Sequence, residues 1–152
     1  AIEIMAKAKK GKDTKRNSFI KGISTNKNIT EEHIGVYESI DYPLFSFKYL
    51  QEHSIRDCKD HKFFFDFLIR LRKLSELGWD QIRTSARHSF GMEKIPRESI
   101  IPQTPNFITP DVEELHVFRS NGNNTALVGL QIDKIFHVLF IETKHGDIYE
   151  HQ

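Results

Sequence analysis

Apolar residues in the middle of the chain recur with the period of an amphipathic helix. Asp60, a residue type that caps helix N-termini, precedes the recurrence. Apolar side chains then follow at spacings of three and four residues, at Phe64, Phe67, Leu68, Leu71 and Leu74. Gly78 comes after this run and suits a helix C-terminus. The pattern predicts one helix between these two residues and a second, shorter helix over 79–88, so that the two form an αα-hairpin.

In the last third of the chain the apolar period changes to two, which is typical of strands. Three such segments are separated by turn residues of the Asn, Gly and Asp types, namely 115–119, 126–132 and 135–142. Further extended segments are predicted at 44–50 and 147–151. Residues 91–111 contain four of the five prolines and are predicted to form an irregular connection. The sequence therefore predicts an α+β fold, with N-terminal helices packed on a C-terminal antiparallel β-meander.

The first 30 residues differ in charge from the rest of the chain. They carry eight basic and two acidic side chains, a net charge of +6, whereas the remaining 122 residues carry 14 basic and 19 acidic side chains, a net charge of −5. We predict a basic flexible tail over 1–30 and a single α+β domain over 31–152, which starts with a short helix after the cap residue Thr30. The tail can contact phosphates or an acidic partner, or it can serve only solubility.

Composition narrows the class of protein. The single cysteine, Cys58, cannot form an internal disulfide and fits a reducing compartment. No apolar run approaches the roughly 20 residues that span a bilayer, so we expect a cytoplasmic protein without a membrane partner. The sequence has no glycine-rich phosphate loop, zinc-finger spacing or nucleophile elbow. The candidate catalytic and binding residues are therefore the histidines and arginines of the C-terminal half.

Two candidate residues lie inside predicted strands. His137 is predicted to share a strand face with Leu139 and Ile141. It is either a core histidine with one hydrogen bond or a general acid or base held on a rigid strand. Arg119 is predicted to lie on a core-facing side, where an arginine is costly unless it pairs or lines a cleft. It is therefore a candidate phosphate-binding residue.

A second set of candidates follows the predicted helix pair. Arg83 and Arg87 are four positions apart, so both would lie on one face of the second helix. His88 would lie at the end of that helix, where the helix dipole favours a charged imidazole. The three side chains are suited to bind a phosphodiester and donate a proton, or they form a solvated helix face.

The last candidates are concentrated near the C-terminus, at Lys144, His145, Asp147, Tyr149 and His151. With His137 and Glu142 they offer the donor types of a metal site. The donors fall on both faces of a strand–turn–strand segment, so we instead predict a metal-free site with no cofactor. There, His145 and Tyr149 would transfer protons and Lys144 would stabilise phosphate charge.

Several stretches of the sequence resemble the ParE-like toxins of type II toxin–antitoxin systems, within the wider RelE/ParE superfamily. They are YPLFSFKYL at 42–50, LRKLSEL at 71–77 with WDQI at 79–82, and FHVLFIE at 136–142 with HGDIY at 145–149. The resemblance covers roughly residues 40–151, and it includes the order of the elements. It implies a helix pair followed by an antiparallel meander, a bacterial source and an antitoxin protein as partner.

The resemblance implies two mechanisms. RelE-type members cut mRNA on the ribosome without a metal, through the attacking 2′-hydroxyl, basic residues that hold the phosphate, and proton-transfer side chains on late sheet elements. ParE-type members instead poison DNA gyrase. RelE-type toxins are usually strongly basic across the body, and the net charge of −5 over residues 31–152 departs from that pattern.

The first functional hypothesis is thus a toxin-like, metal-independent ribonuclease whose partner is RNA or the ribosome. Its predicted proton-transfer residues are His88, His137, His145 and Tyr149. Its predicted phosphate-binding or nucleic-acid-binding residues are Arg83, Arg87, Arg119 and Lys144. The alternatives are a toxin that binds gyrase or another protein target, and a non-catalytic accessory module on the same fold.

Overall fold

The computed structural model describes residues 31–87, 89–120 and 124–151. In that part of the chain the helices are α1 (Glu31–Ser39), α2 (His61–Glu76) and α3 (Trp79–Thr84). The strands are β1 (Leu44–Ser46), β2 (Glu93–Pro96), β3 (Glu114–Arg119), β4 (Ala126–Ile132) and β5 (Ile135–Ile141), and a 3₁₀ turn spans Arg97–Ser99. Among the described helices, none combines the length and the apolar character needed to cross a membrane.

Helix α1 confirms the short helix predicted after Thr30. The chain divides into two units between Ile40 and Asp41, so that α1 precedes the division and all the other described elements follow it. The predicted single domain over 31–152 stays a prediction. The predicted tail over 1–30 lies outside the described residues.

One mixed sheet holds all five described strands, in the order β1-β5-β4-β3-β2. Strands β3, β4 and β5 pair in antiparallel fashion in chain order, which confirms these three strands of the predicted meander, and β2 pairs with the free edge of β3. The predicted extended segment at 147–151 forms no strand and contributes an isolated bridge between Tyr149 and Ile100. The predicted segment at 44–50 contributes only three residues, β1, and these pair in parallel with the start of β5. The proline-rich connection supplies the other edge strand, β2. The α+β class is confirmed.

Helix α2 begins where the sequence predicts. Asp60 is its N-cap, and the Oδ1 atom accepts the backbone N–H of Phe63 at 3.1 Å. The buried side chains are Phe63, Phe67, Leu71 and Leu74. Leu68 was predicted for the buried face but is 63% exposed. At about 100° per residue it lies roughly 100° around the helix from the centre of the buried stripe.

The second helix is shorter than predicted, and this separates two candidate arginines. Gly78 has φ −80° and is the N-cap of α3, not the left-handed end of α2. Because α3 ends at Thr84, Arg87 lies beyond the helix, and the predicted common face of Arg83 and Arg87 is wrong. Arg83 instead pairs with Asp80 on the exposed surface. His88 lies outside the described residues.

The sheet has an apolar core on each face. One core packs α2 and α3 against strand residues that include Phe118, Leu127 and Phe136. The other core packs the irregular segments of the chain against the opposite face, with residues such as Leu115, Val128 and Phe140. The second core matters for function because it contains Tyr149 and lies beside Arg119.

A β-bulge near the end of β5 changes the face of the sheet on which the following side chains lie. Val128 pairs with Phe140 while the next residue of β4, Gly129, pairs with Val138, so Leu139 is the extra residue. Ile141 consequently belongs to the helix-side core and Leu139 to the opposite core. The prediction that His137, Leu139 and Ile141 share one face of the strand is therefore wrong. Gly129 is required at the bulge, because a Cβ there would lie 2.2 Å from the His137 carbonyl oxygen.

Histidine 116 on β3 gives the fold a pH-dependent hydrogen bond. Its Nδ1 atom accepts the backbone N–H of Gln131 at 2.8 Å. Burial lowers the pKa of His116, the charge of Lys94 lowers it further, and Glu114 opposes the shift. The unfolded chain therefore takes up this proton at a higher pH than the folded protein does. The free energy of unfolding should fall as the pH decreases below about 6.5, the ordinary pKa of histidine.

The variant His116→Asn tests this expectation, because asparagine retains an acceptor oxygen but does not titrate. Urea denaturation at about pH 7.5 and about pH 5 should show a smaller pH-dependent loss of stability in the variant than in the unchanged protein. Equal losses in the two proteins would remove His116 as a source of the pH dependence.

Candidate functional site

A buried carboxylate organises the C-terminal end of the chain. Glu142 follows β5 directly and is 0% exposed. Its Oε1 accepts the backbone N–H of Ala126 at 3.1 Å, and its Oε2 accepts those of Gly146 at 3.0 Å and Ile148 at 3.3 Å. The turn after β5 folds back at Gly146, whose φ of +91° favours glycine. Glu142 therefore joins the start of β4, this turn and the C-terminal segment.

Two histidines extend from this carboxylate towards the surface. The Nε2 atom of His151 lies 2.8 Å and 3.0 Å from the two oxygens of Glu142. The His151 ring lies against the rings of Tyr149 and His145, at centroid distances of 4.1 Å and 3.9 Å. His145 is exposed, and its Nδ1 atom is 3.4 Å from the Asn124 carbonyl oxygen. A row of ionisable side chains in contact thus runs from the exposed His145 through His151 to the buried Glu142.

Arg119 joins the row from the neighbouring strand β3. Its side chain is 6% exposed, and Nη2 donates to Glu93 Oε1 at 2.9 Å. Its Nη1 is 3.3 Å from the Asn124 carbonyl oxygen and 3.4 Å from the Tyr149 hydroxyl oxygen. The other oxygen of Glu93 pairs with Arg87 at 3.2 Å. We use the name C-terminal cluster for Arg119, Glu142, His145, Tyr149 and His151.

The surroundings of the Tyr149 phenol favour its protonated form. Burial raises its pKa above the usual value, the nearby carboxylates of Glu93 and Glu142 raise it further, and the positive charge and hydrogen bond of Arg119 oppose the shift. The phenol therefore stays protonated around neutral pH and retains its O–H.

An open cavity of about 990 Å³ is lined by residues that neighbour the cluster in sequence, but by none of the five cluster residues. Lys144 and Asp147, which flank the His145–Gly146 pair in sequence, both line it. The opposite wall belongs to the loop before α2, which Ser54 attaches to the turn: its Oγ donates to Asp147 Oδ2 at 2.9 Å and accepts the Thr143 N–H at 2.8 Å. The charged side chains of the lining are of both signs: the cations Arg56, Lys59 and Lys144, and the acids Glu52, Asp57, Asp60 and Asp147. A polar ligand in this cavity would contact Lys144 and Asp147, the two chain neighbours of the His145–Gly146 pair.

The structure brings together some of the residues that the sequence selected. Arg119, His145 and Tyr149 all belong to the C-terminal cluster, and the exposed Lys144 is next to it in the chain. Arg87 reaches Arg119 through the shared partner Glu93. The roles of these residues remain predictions.

His137 is not placed with them. It precedes Glu142 by five residues on extended chain, which corresponds to roughly 16 Å. Its ring contacts Tyr49 at a centroid distance of 6.1 Å, and its buried Nδ1 has no hydrogen-bond partner among the described residues. Arg83, which pairs with Asp80, has no described contact with the cluster either.

The sequence missed Glu93 as a member of this network. Glu93 lies opposite Val117 in the β2–β3 register, and this register brings its carboxylate to Arg119. Glu142 and His151 were recognisable as polar residues near His145, but their mutual contact was not. An acid directly after a long apolar strand was the available signal, since a carboxylate at that position needs donors.

Three members of the cluster can in principle hold a metal ion. One ligand atom each of Glu142, His145 and His151 lies within 4.8 Å of the others.

In comparisons with known proteins, no family model, curated protein or solved structure matches the chain significantly.

Proposed function

We propose that the chain is a toxin-like, metal-independent ribonuclease of RelE type, with a RelE/ParE-like fold, and that the C-terminal cluster is its active site. One observation carries the proposal: the rings of His145 and His151 are in contact at 3.9 Å, beside a buried carboxylate and a phenol. Two imidazoles in contact can serve as base and acid for RNA cleavage, which needs no metal because the 2′-hydroxyl is the nucleophile.

His145 is the proposed base. A carbonyl oxygen can only accept, so the contact with Asn124 places the proton of a neutral His145 ring on Nδ1 and leaves a lone pair on Nε2. That atom would take the proton of the ribose 2′-hydroxyl. The oxygen attacks phosphorus, the P–O5′ bond breaks, and the products are a 2′,3′-cyclic phosphate and a 5′-hydroxyl.

His151 and Tyr149 are the proposed source of the proton for the leaving 5′-oxygen. The carboxylate of Glu142 accepts from His151 Nε2 and offsets the positive charge of a protonated ring. Arg119 is held by Glu93 and the Asn124 carbonyl oxygen, so we assign it to positioning Tyr149. The exposed Lys144 at the cavity is then the phosphate-binding cation.

A second candidate function, binding to a protein target, is favoured by a different part of the surface. Helix α2 exposes three large apolar side chains, Phe65 at 64%, Leu68 at 63% and Ile69 at 39%. Contiguous apolar surface of this kind is typical of protein-interaction sites. It suits an antitoxin partner of the ribonuclease, or a target such as gyrase if the chain is not catalytic. In either case we propose a cytoplasmic site of action.

Incubation of the purified full chain with RNA, or with translating ribosomes, in the presence of EDTA tests the ribonuclease proposal. We expect cleavage into fragments with 2′,3′-cyclic phosphate ends. Toxicity on induced expression without any cleavage, together with co-purification of a topoisomerase, would favour the protein-binding function. Normal growth and intact RNA would indicate an accessory module.

A further inference from the structure

We infer that Glu142, His145 and His151 form a binding site for one transition-metal ion of the Zn²⁺ class. The inference is independent of the ribonuclease proposal, because it concerns binding in the absence of RNA. Two imidazole nitrogens and one carboxylate oxygen are a common ligand set for zinc and leave a fourth position open. Imidazole ligands favour zinc, nickel and copper over magnesium and calcium.

The spacing of the donors supports this inference. A tetrahedral ion with bonds of about 2.0–2.1 Å holds its ligand atoms roughly 3.3 Å apart. The His151 Nε2 atom already lies 2.8 Å and 3.0 Å from the Glu142 oxygens. The largest separation among the three donors is within 4.8 Å, so His145 needs to approach by about 1.5 Å. His145 is exposed and precedes Gly146 in a turn, so the contacts that this movement changes, among those described, are its ring contact with His151 and its contact with the Asn124 carbonyl oxygen.

The electrostatic environment of Glu142 also supports metal binding. The carboxylate is fully buried, and His151 is the only ionisable side chain that it contacts in the described part of the chain. Its other described partners are the uncharged N–H groups of Ala126, Gly146 and Ile148. When His151 is neutral, as a metal ligand must be, a divalent cation would supply the compensating charge that the buried carboxylate then lacks. The three amides fix its orientation in advance, as groups around a metal ligand commonly do.

Metal binding would have a consequence for the proposed ribonuclease. The ion would occupy the lone pair of His145 that serves as base and would hold His151 in place. Zinc would then act as an inhibitor, and EDTA would restore cleavage. This inference therefore makes metal a regulator of the proposed active site and not its cofactor.

Titration of the full chain, without a polyhistidine tag, with ZnCl₂ in a calorimeter tests the site. We expect one ion per chain, removed by EDTA, with affinity at least about tenfold weaker in His145→Ala and in His151→Ala. His61→Ala is the matched control, because His61 is exposed at the start of α2, and it should leave the affinity unchanged. Tetrahedral Co²⁺ absorption bands that disappear in His145→Ala would identify the imidazole as a ligand.

The exposed position of His145 keeps this test decisive, since its replacement should not affect folding, which circular dichroism verifies. Equal zinc affinity in His145→Ala and the unchanged chain would overturn the inference, and so would the absence of binding to the unchanged chain. The zinc titration can be interpreted even if the chain does not cleave RNA, because it measures metal binding directly.

Discussion

Replacement of Glu142 by alanine should lower the free energy of unfolding by about 3–5 kcal/mol. The variant leaves three backbone N–H groups and the His151 ring without their acceptor inside the protein. Each buried donor that loses its partner costs about 1–3 kcal/mol, and the side-chain cavity adds to the loss. Chemical denaturation of the purified variant measures the change.

The neighbouring acid Glu150 provides the control. It is exposed in the same C-terminal segment, so Glu150→Ala should change the stability by no more than about 0.5 kcal/mol. Glu142→Gln should fall between the two, because one carbonyl oxygen remains as an acceptor while the charge is lost. A loss below about 1 kcal/mol in Glu142→Ala would show that the carboxylate does not organise this end of the chain.

The second large effect concerns activity. His145→Ala should reduce the rate of RNA cleavage by about 10²–10⁴-fold, because it removes the proposed base without disturbing the buried part of the cluster. Cleavage rates measured with EDTA present, at saturating and at low RNA concentration, separate a chemical defect from a binding defect. The loss should appear mainly in kcat, since the phosphate is assigned to Lys144.

Two controls accompany this variant. His61→Ala removes an exposed imidazole that is not part of the cluster and should cleave RNA at the unchanged rate. Lys144→Ala should instead raise KM, because a phosphate-binding cation contributes to the affinity of substrate and transition state alike. A His145→Ala protein with the unchanged rate would remove this residue from the mechanism.

The elements of the fold were predictable where one face of a regular element is buried. Strands β3 and β4 match their predicted ranges to within one residue, because alternation of apolar residues reports the buried face directly. Long-range features were not predictable. The parallel pairing of β1 with β5 and the bulge at Leu139 depend on contacts between distant residues. The proline-rich segment is likewise held by Arg97, which donates to three backbone carbonyl oxygens.

The candidate site was predictable where its residues are close together in the sequence. Histidine 145 and Tyr149 lie within ten residues of Glu142, so a turn sufficed to bring them together. The contact between Arg119 and Glu93 depends on the register of β2 and β3, which the local sequence does not specify. His137 was selected because it interrupts an apolar strand, but that pattern does not distinguish a core histidine from a catalytic one.

Comparison of His145→Ala with His137→Ala tests the central claim most directly, since the sequence selected both histidines and the structure places only His145 in the C-terminal cluster. Both variants and the unchanged chain would be assayed for RNA cleavage in EDTA. The proposed function predicts that His145→Ala loses at least about 100-fold in rate while His137→Ala, once shown to be folded, stays within about threefold of the unchanged chain. Loss of activity in His137→Ala with full activity in His145→Ala would contradict the assignment of the active site.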